Sequence, residues 1–256
     1  MIELHRDDRG VVVASMDRPP VNALDTAMMD DLAAVAAGVA ADGAARVLIL
    51  RSAARGTFMA GADLSMVRDN LGAVADLNTR LRVALDSLER LAVPTIAAIG
   101  GHALGGGCEL ALVCDFRIMA RGTARIGLPE VLRGLLPAGG GTQRIVRLLG
   151  RARALDLLLR GRMLDADEAA AIGLVTTAVE PAEVDEAAEA MAAQLATLAP
   201  LTLAAIKRVV LEGAEVPLAE GLDIEAEAMI RIGRTADARE GVASFLEHRP
   251  PLFRGQ

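Results

Sequence analysis

PTIAAIGGHALGGGCELALVCDFRIMA, residues 94–120, decides how the rest of the chain is read. Residues 95–99 have the make-up of a short buried strand, a glycine-rich turn follows, then an apolar helix and a second strand at 115–119. The turn packs Gly100, Gly101, Gly105, Gly106 and Gly107 into eight residues, a density that permits close backbone approach. The last of these glycines fall where a helix starts, so their N–H groups are unpaired and available to an anion. Glu109 then stands inside the oily segment CELALVC. A carboxylate in such a place is either paired, for instance with an arginine, or functional.

The turn does not fit the familiar phosphate cradles. A P-loop requires Lys and then Ser or Thr after its last glycine, and here Cys108 and Glu109 follow. A dinucleotide fingerprint requires G-x-G-x-x-G, and the spacing here is G-G-x-x-x-G-G-G. What remains is a donor site for an oxyanion with a carboxylate beside it. This stretch resembles the signature of the crotonase (enoyl-CoA hydratase/isomerase) superfamily, I-A-A-V-N-G-x-A-x-G-G-G-x-E-L-A-x-x-C-D, with Gly100 where that family usually has Asn.

Composition excludes several other chemistries. The 256 residues are 53% hydrophobic and carry a net charge of −7, enough apolar material for a large core. Basic residues are scattered, and there is no Trp or Tyr on which bases would stack, so nucleic acid is not an expected partner. No uncharged apolar run reaches membrane-spanning length, and the charged start MIELHRDDRG lacks a signal-peptide core; no membrane association and a cytoplasmic location are expected. The two cysteines, Cys108 and Cys114, suit small core positions rather than a disulfide or a zinc site. Three histidines, His5, His102 and His248, make no metal centre, and only His102 lies near the glycine turn. Acid–base work therefore falls to carboxylates.

Along the chain, residues 2–5 and 10–16 read as strands around a turn, and 46–52 as a continuous apolar strand of the buried parallel kind. Asp25 or Thr26 is placed to cap a helix running to about residue 41. This strand–helix alternation predicts an α/β domain. Residues 65–91 show an apolar stripe only in their second half, at Leu77, Leu81, Leu85, Leu88 and Leu91. Further helices are expected at 151–159, 165–172 and 181–198, and from Pro200 onward the pattern is helical alone, at 201–211, 217–234 and 237–248. That shift sets a boundary: a catalytic, CoA-binding domain over 1–199 and a C-terminal helical segment over 200–256.

The resemblance runs in order from Arg18 to Arg249. R-P-x-x-x-N-A-L is matched, one residue shorter, by RPPVNAL at residues 18–24, and F-x-A-G-A-D-[IL] at Phe58, Ala60, Gly61, Ala62, Asp63 and Leu64. The resemblance implies that this segment lines the CoA groove and that the N–H of Ala62 joins that of Gly106 in an oxyanion hole. Asp63 has the bland alternative of capping the turn that follows. [FI]-G-x-P-E is matched through Pro129 to Glu130, which the resemblance makes the second catalytic acid beside Glu109. The Glu109–Glu130 spacing carries one residue more than is common, placed in the turn at 120–123. G-x-x-P-G-x-G-G-T-Q-R is matched at 134–144 with Ala138 in place of a glycine, and its loop is read as structural, presenting a helix N-terminus to the site. Near the C-terminus His248 replaces the usual CoA-contacting Lys, leaving Arg249 or Arg254 to supply the charge.

The fold implied is α/β, a crotonase-type spiral of ββα units with a C-terminal α-helical oligomerisation segment. The implied function is hydration of a trans-2-enoyl-CoA to a 3-hydroxyacyl-CoA, as in β-oxidation, using Glu109 and Glu130. Ala60, Gly61, Ala62, Asp63, Leu64, Gly105, Gly106 and Pro129 are the implied substrate-binding positions. The expected partners are an acyl-CoA thioester and further copies of the chain, as a trimer or dimer of trimers. No metal or separate cofactor is expected, coenzyme A being part of the substrate. The alternatives are another crotonase activity, namely isomerisation, hydration of a branched or aromatic enoyl-CoA or a carnitinyl-type dehydration, and a non-catalytic acyl-CoA-binding protein.

Overall fold

A computed structural model describes residues 1–66, 72 and 74–256. Strand β1 (Ile2–Arg6) turns back antiparallel onto β2 (Val11–Met16), and helix α1 (Thr26–Ala41) follows. Asp25 is the cap: its carboxylate accepts the Met28 N–H at 2.8 Å. From there the chain repeats one unit. A strand enters a large sheet, a short strand enters a small sheet, and a helical segment returns. The units are β3 (Val47–Ser52), β4 (Thr57–Met59) and α2 (Val74–Glu89); β5 (Thr95–Ile99), β6 (His102–Leu104) and α3 (Gly106–Val113); and β7 (Phe116–Ala120), β8 (Ile126–Gly127) and α4 (Gly141–Arg160).

Two sheets result. The large one has the order β1-β2-β3-β5-β7-β10, parallel from β2 onward, with β10 at Thr177–Val179. The small one has the order β4-β6-β8-β9, with β9 (Met163–Leu164) antiparallel at its edge. β5 is buried at every position because it lies mid-sheet, with β3 and β7 on either side. One contiguous core runs through both sheets, and each fully buried Leu, Ile or Phe side chain contributes about 1.5–3 kcal/mol to it.

The remaining helices are α5 (Ala166–Ala171), α6 (Val184–Ala196), α7 (Pro200–Gly213), α8 (Leu218–Ile232) and α9 (Ala236–Leu246). α6 packs on β3, β5 and β7, whereas α7 and α8 pack chiefly on each other. Lys207, the chain's one lysine, ties α7 to the large sheet: its Nζ lies 2.8 Å from Asp115 Oδ2, which also accepts the Thr95 N–H and hydroxyl.

Several boundaries differ from the expectations. The strand expected at 115–119 starts at Phe116, because Asp115 uses its side chain to cross-tie β5 and α7. The helix expected at 151–159 is the second half of α4, which bends at Gly150 (φ 76°). Its first half opens at Gly141, behind the glycine loop. The helix expected from residue 181 starts as the 3₁₀ turn Pro181–Glu183. Residues 67–71 and 73 of the weak first half of 65–91 lie outside the described residues, while Leu81, Leu85, Leu88 and Leu91 are buried as their spacing requires.

Candidate active site

Glu109 sits one turn into α3 and is 2% exposed. An acidic group in a first turn is favoured by the helix dipole, but its burial has to be offset. Part of the offset comes from outside the helix, where Gly141, at the start of α4, donates its N–H to Glu109 Oε1 at 2.8 Å. Burial still dominates and pushes the Glu109 carboxyl up to about 7. The negative charge of Glu130 pushes the same way, while the Gly141 and Gly139 amides and the Arg144 guanidinium oppose it.

Glu130 arrives from a different direction. Pro129 ends β8's extension and the 3₁₀ turn Glu130–Arg133 follows, held by Gly134 in the left-handed region (φ 68°). Glu130 Oε1 lies so near Gly105 that a side chain there would meet it at 2.9 Å. Its Oε2 is shielded from solvent and has no hydrogen-bond partner among the described residues. Burial again raises the carboxyl above its ordinary range. The two carboxylates therefore flank the same glycine turn, one from inside the helix and one from the loop packed over Gly105.

The amides converge as well. Leu24 forms an isolated parallel bridge with Ala62, donating its N–H to Gly61 O and accepting that of Asp63, each at 2.8 Å. That pairing uses the neighbours of Ala62 and turns its own N–H away. Among the described residues neither Ala62 N nor Gly106 N donates to a protein acceptor. They are close together: a Cβ on Gly106 would lie 3.8 Å from Ala62 N, and one on Gly61 would lie 3.3 Å from Gly106 N. A side chain at Gly106 would also strike the buried Leu24 methyl, so a Gly106→Val exchange would disturb packing as well as the amide.

The other sequence-derived positions divide by role. Ala60, Ala62 and Leu64 lie exposed along the edge, while Gly61, Gly105 and Pro129 are buried behind them. Asp63 takes the bland alternative: it accepts the Ser65 hydroxyl at 2.6 Å and pairs with Arg18 at 3.0 Å, and the Ser65 and Arg18 bonds hold its carboxyl below the usual range. Cys108 and Cys114 are buried with their thiols pushed up by burial, as core residues. His102 carries no bond to either glutamate; its backbone N–H donates to Gly56 O. Arg249 is held by Glu240 and Glu247, leaving Arg254 as the one of the two arginines free of an ion pair among the described residues. Both departures from the usual pattern are accommodated: Gly100 has open space around it and Ala138 is exposed. Gly139 and Gly141, in the loop read as structural, lie against Glu109, and Arg144 acts on it by charge. The T-Q-R after the glycines was the available signal.

The sequence model of the enoyl-CoA hydratase/isomerase family matches residues 6–256. The chain belongs to this family. It is 40% identical to the "Probable enoyl-CoA hydratase 2, mitochondrial" of Arabidopsis thaliana over 98% of this chain and 84% of that one. It is 37% identical to the methylglutaconyl-CoA hydratase of Rattus norvegicus over 99% and 82%. The crystal structure of the enoyl-CoA hydratase from Bacillus anthracis superposes with a TM-score of 0.96 at 36% identity, covering 100% of this chain and 99% of that one. The α/β spiral with its C-terminal helices is thus the crotonase fold.

Proposed function

We propose that the protein hydrates a trans-2-enoyl-CoA to the 3-hydroxyacyl-CoA, with Glu109 and Glu130 as its acid–base pair. The observation that carries this reading is the convergence of two raised carboxyls on one glycine turn that also presents two unpaired amides. The thioester carbonyl would accept the Ala62 and Gly106 N–H groups, so that charge gathering on its oxygen meets donors already in place, worth ~2.7–4 kcal/mol each. A water held by the carboxylates adds its oxygen to C3. One glutamate takes the water's proton while the other delivers a proton to C2, closing the enolate. Carboxyls raised toward neutrality suit this exchange, since each is able both to hold and to release a proton. Glu130 Oε2, buried without a donor among the described residues, is the natural acceptor for such a water. The methylglutaconyl-CoA hydratases among the relatives favour a branched acyl chain as the second reading of the substrate.

Glu109→Gln and Glu130→Gln are each expected to lower kcat on crotonyl-CoA by about 10²–10⁴-fold with KM nearly unchanged. The double variant is expected to fall short of the product of the two, because both carboxylates serve one water. Loss of absorbance at the conjugated thioester reads this directly. A wild-type rate in either single variant sinks the two-glutamate hydratase, and an isomerase acting through Glu130 alone becomes the better reading.

A further inference from the structure

The C-terminal turn of α2 carries two acids, Asp86 and Glu89, at the end of a helix where the dipole disfavours negative charge. Both are compensated by one group from another element. Arg144 of α4 meets Glu89 with two parallel bonds, Nε to Oε1 at 2.8 Å and Nη2 to Oε2 at 2.7 Å, and reaches Asp86 at 2.8 Å. Its remaining nitrogen, Nη1, donates to Gly139 O at 2.9 Å. The guanidinium folds back over Gly140, whose φ of 102° and missing side chain make room for it. The loop so held is the one whose Gly141 N–H reaches Glu109 Oε1, and it is wedged between that carboxylate and Leu81 of α2.

We propose that Arg144 is a positioning residue for Glu109: it clamps the Gly139–Gly141 loop to α2 and so keeps the Gly141 N–H on Glu109 Oε1. Among the described residues Arg144 makes no hydrogen bond to Glu109; besides its charge, it acts through the loop. A planar fork bound at three places fixes the orientation of a loop in a way a flexible ammonium does not. The inference rests on Glu109 taking part in the chemistry.

Among the described residues, the charged and titratable groups facing Glu109 are Glu130 from the 3₁₀ turn, Arg144 from α4 and Cys108 on its own helix; Asp86 and Glu89 of α2 reach it through Arg144. That arrangement separates positioning from plain charge. Glu89→Gln removes an anion, and through space alone it would lower the Glu109 pKa. If it loosens the clamp and weakens the Gly141 bond, it raises that pKa.

The test is a carbon-13 titration of the Glu109 carboxyl in the full-length protein, the signal being assigned by its loss in Glu109→Gln. The expected result is an upward move of about half a unit or more in Arg144→Met and a smaller upward move in Glu89→Gln. On crotonyl-CoA, kcat is expected to fall about 10-fold to 10²-fold in Arg144→Met with KM unchanged, and Arg144→Lys to restore only part of it. An unmoved or downward titration in Glu89→Gln overturns the proposal, even if Arg144→Met moves upward, because charge alone then accounts for both. Should Arg144→Met not fold, Glu89→Gln decides alone. The titration needs no substrate, so it stays readable if the chain proves not to be a hydratase.

Discussion

Glu109 carries a cost that can be measured in the absence of substrate. Its carboxyl is raised from 4.5 to about 7 by burial in the fold. Between those two values the folded chain holds a proton that the unfolded chain has released. The sign follows: the unfolded state binds fewer protons there, so this group's contribution to stability falls as pH rises from about 4.5 to about 7. The full span corresponds to about 3 kcal/mol at 1.36 kcal/mol per unit. Glutamine at 109 keeps an oxygen for the Gly141 N–H and removes the ionisation. Glu109→Gln is therefore expected to gain melting temperature relative to the wild type on passing from pH 4.5 to pH 8, while losing activity. A constant difference in melting temperature across that range would mean that Glu109 is not buried at the expense of its charge.

At the scale of elements, the helix that holds Glu109 is secured at its far end. Arg117 of β7 is 7% exposed and has no carboxylate within ion-pair distance among the described residues. It spends its donors on carbonyls instead: Ala111 O at 3.2 Å and Cys114 O at the C-terminus of α3, and Leu174 O at 2.8 Å. A cation at a helix C-terminus satisfies orphaned carbonyls and complements the dipole. Arg117→Met is expected to lower the urea midpoint, each orphaned carbonyl costing roughly 1–3 kcal/mol, and Arg117→Lys to recover only part, since lysine lacks the planar fork. An unchanged midpoint in Arg117→Met would show the cap to be dispensable. Arg117 was not singled out in the sequence, because a lone arginine carries no periodic or spacing signal, and Arg144 stood there only as the last position of the T-Q-R match. The glycine turn, Glu109 and the buried strands β3 and β5 were legible because each has a local pattern. The short strands β4, β6, β8 and β9 were not, at two or three residues apiece, too few to show an alternation. Asp63 was legible as a cap because its role is local, whereas the Gly141–Glu109 bond joins residues 32 apart: the sequence brought a helix N-terminus to the site without naming what it would bind.

The whole molecule leaves a large apolar surface on its C-terminal helices. Leu218 is 78% exposed, Met229 67% and Phe245 78%, and Ile206, Val210, Leu222, Val242 and Leu246 are exposed with them. α8 repeats its apolar positions at helical spacing, and its packing on α7 buries Ala228 alone among its residues. Exposed apolar surface on this scale marks an interface. On the spiral, β3, β5 and β7 are already covered by α6. A second copy of the same chain is the simplest cover, and closed rotational symmetry limits the assembly to a few subunits. We therefore expect a trimer or a dimer of trimers in solution, with residues 200–256 supplying much of the contact. Sedimentation of the wild type at micromolar concentration is expected to give a single species of three or six chains. Glutamate at both Leu218 and Met229 is expected to shift it toward the monomer, because two buried charges without partners would oppose association. A wild type that sediments as a stable monomer would leave these helices without the role that their sequence and exposure assign them.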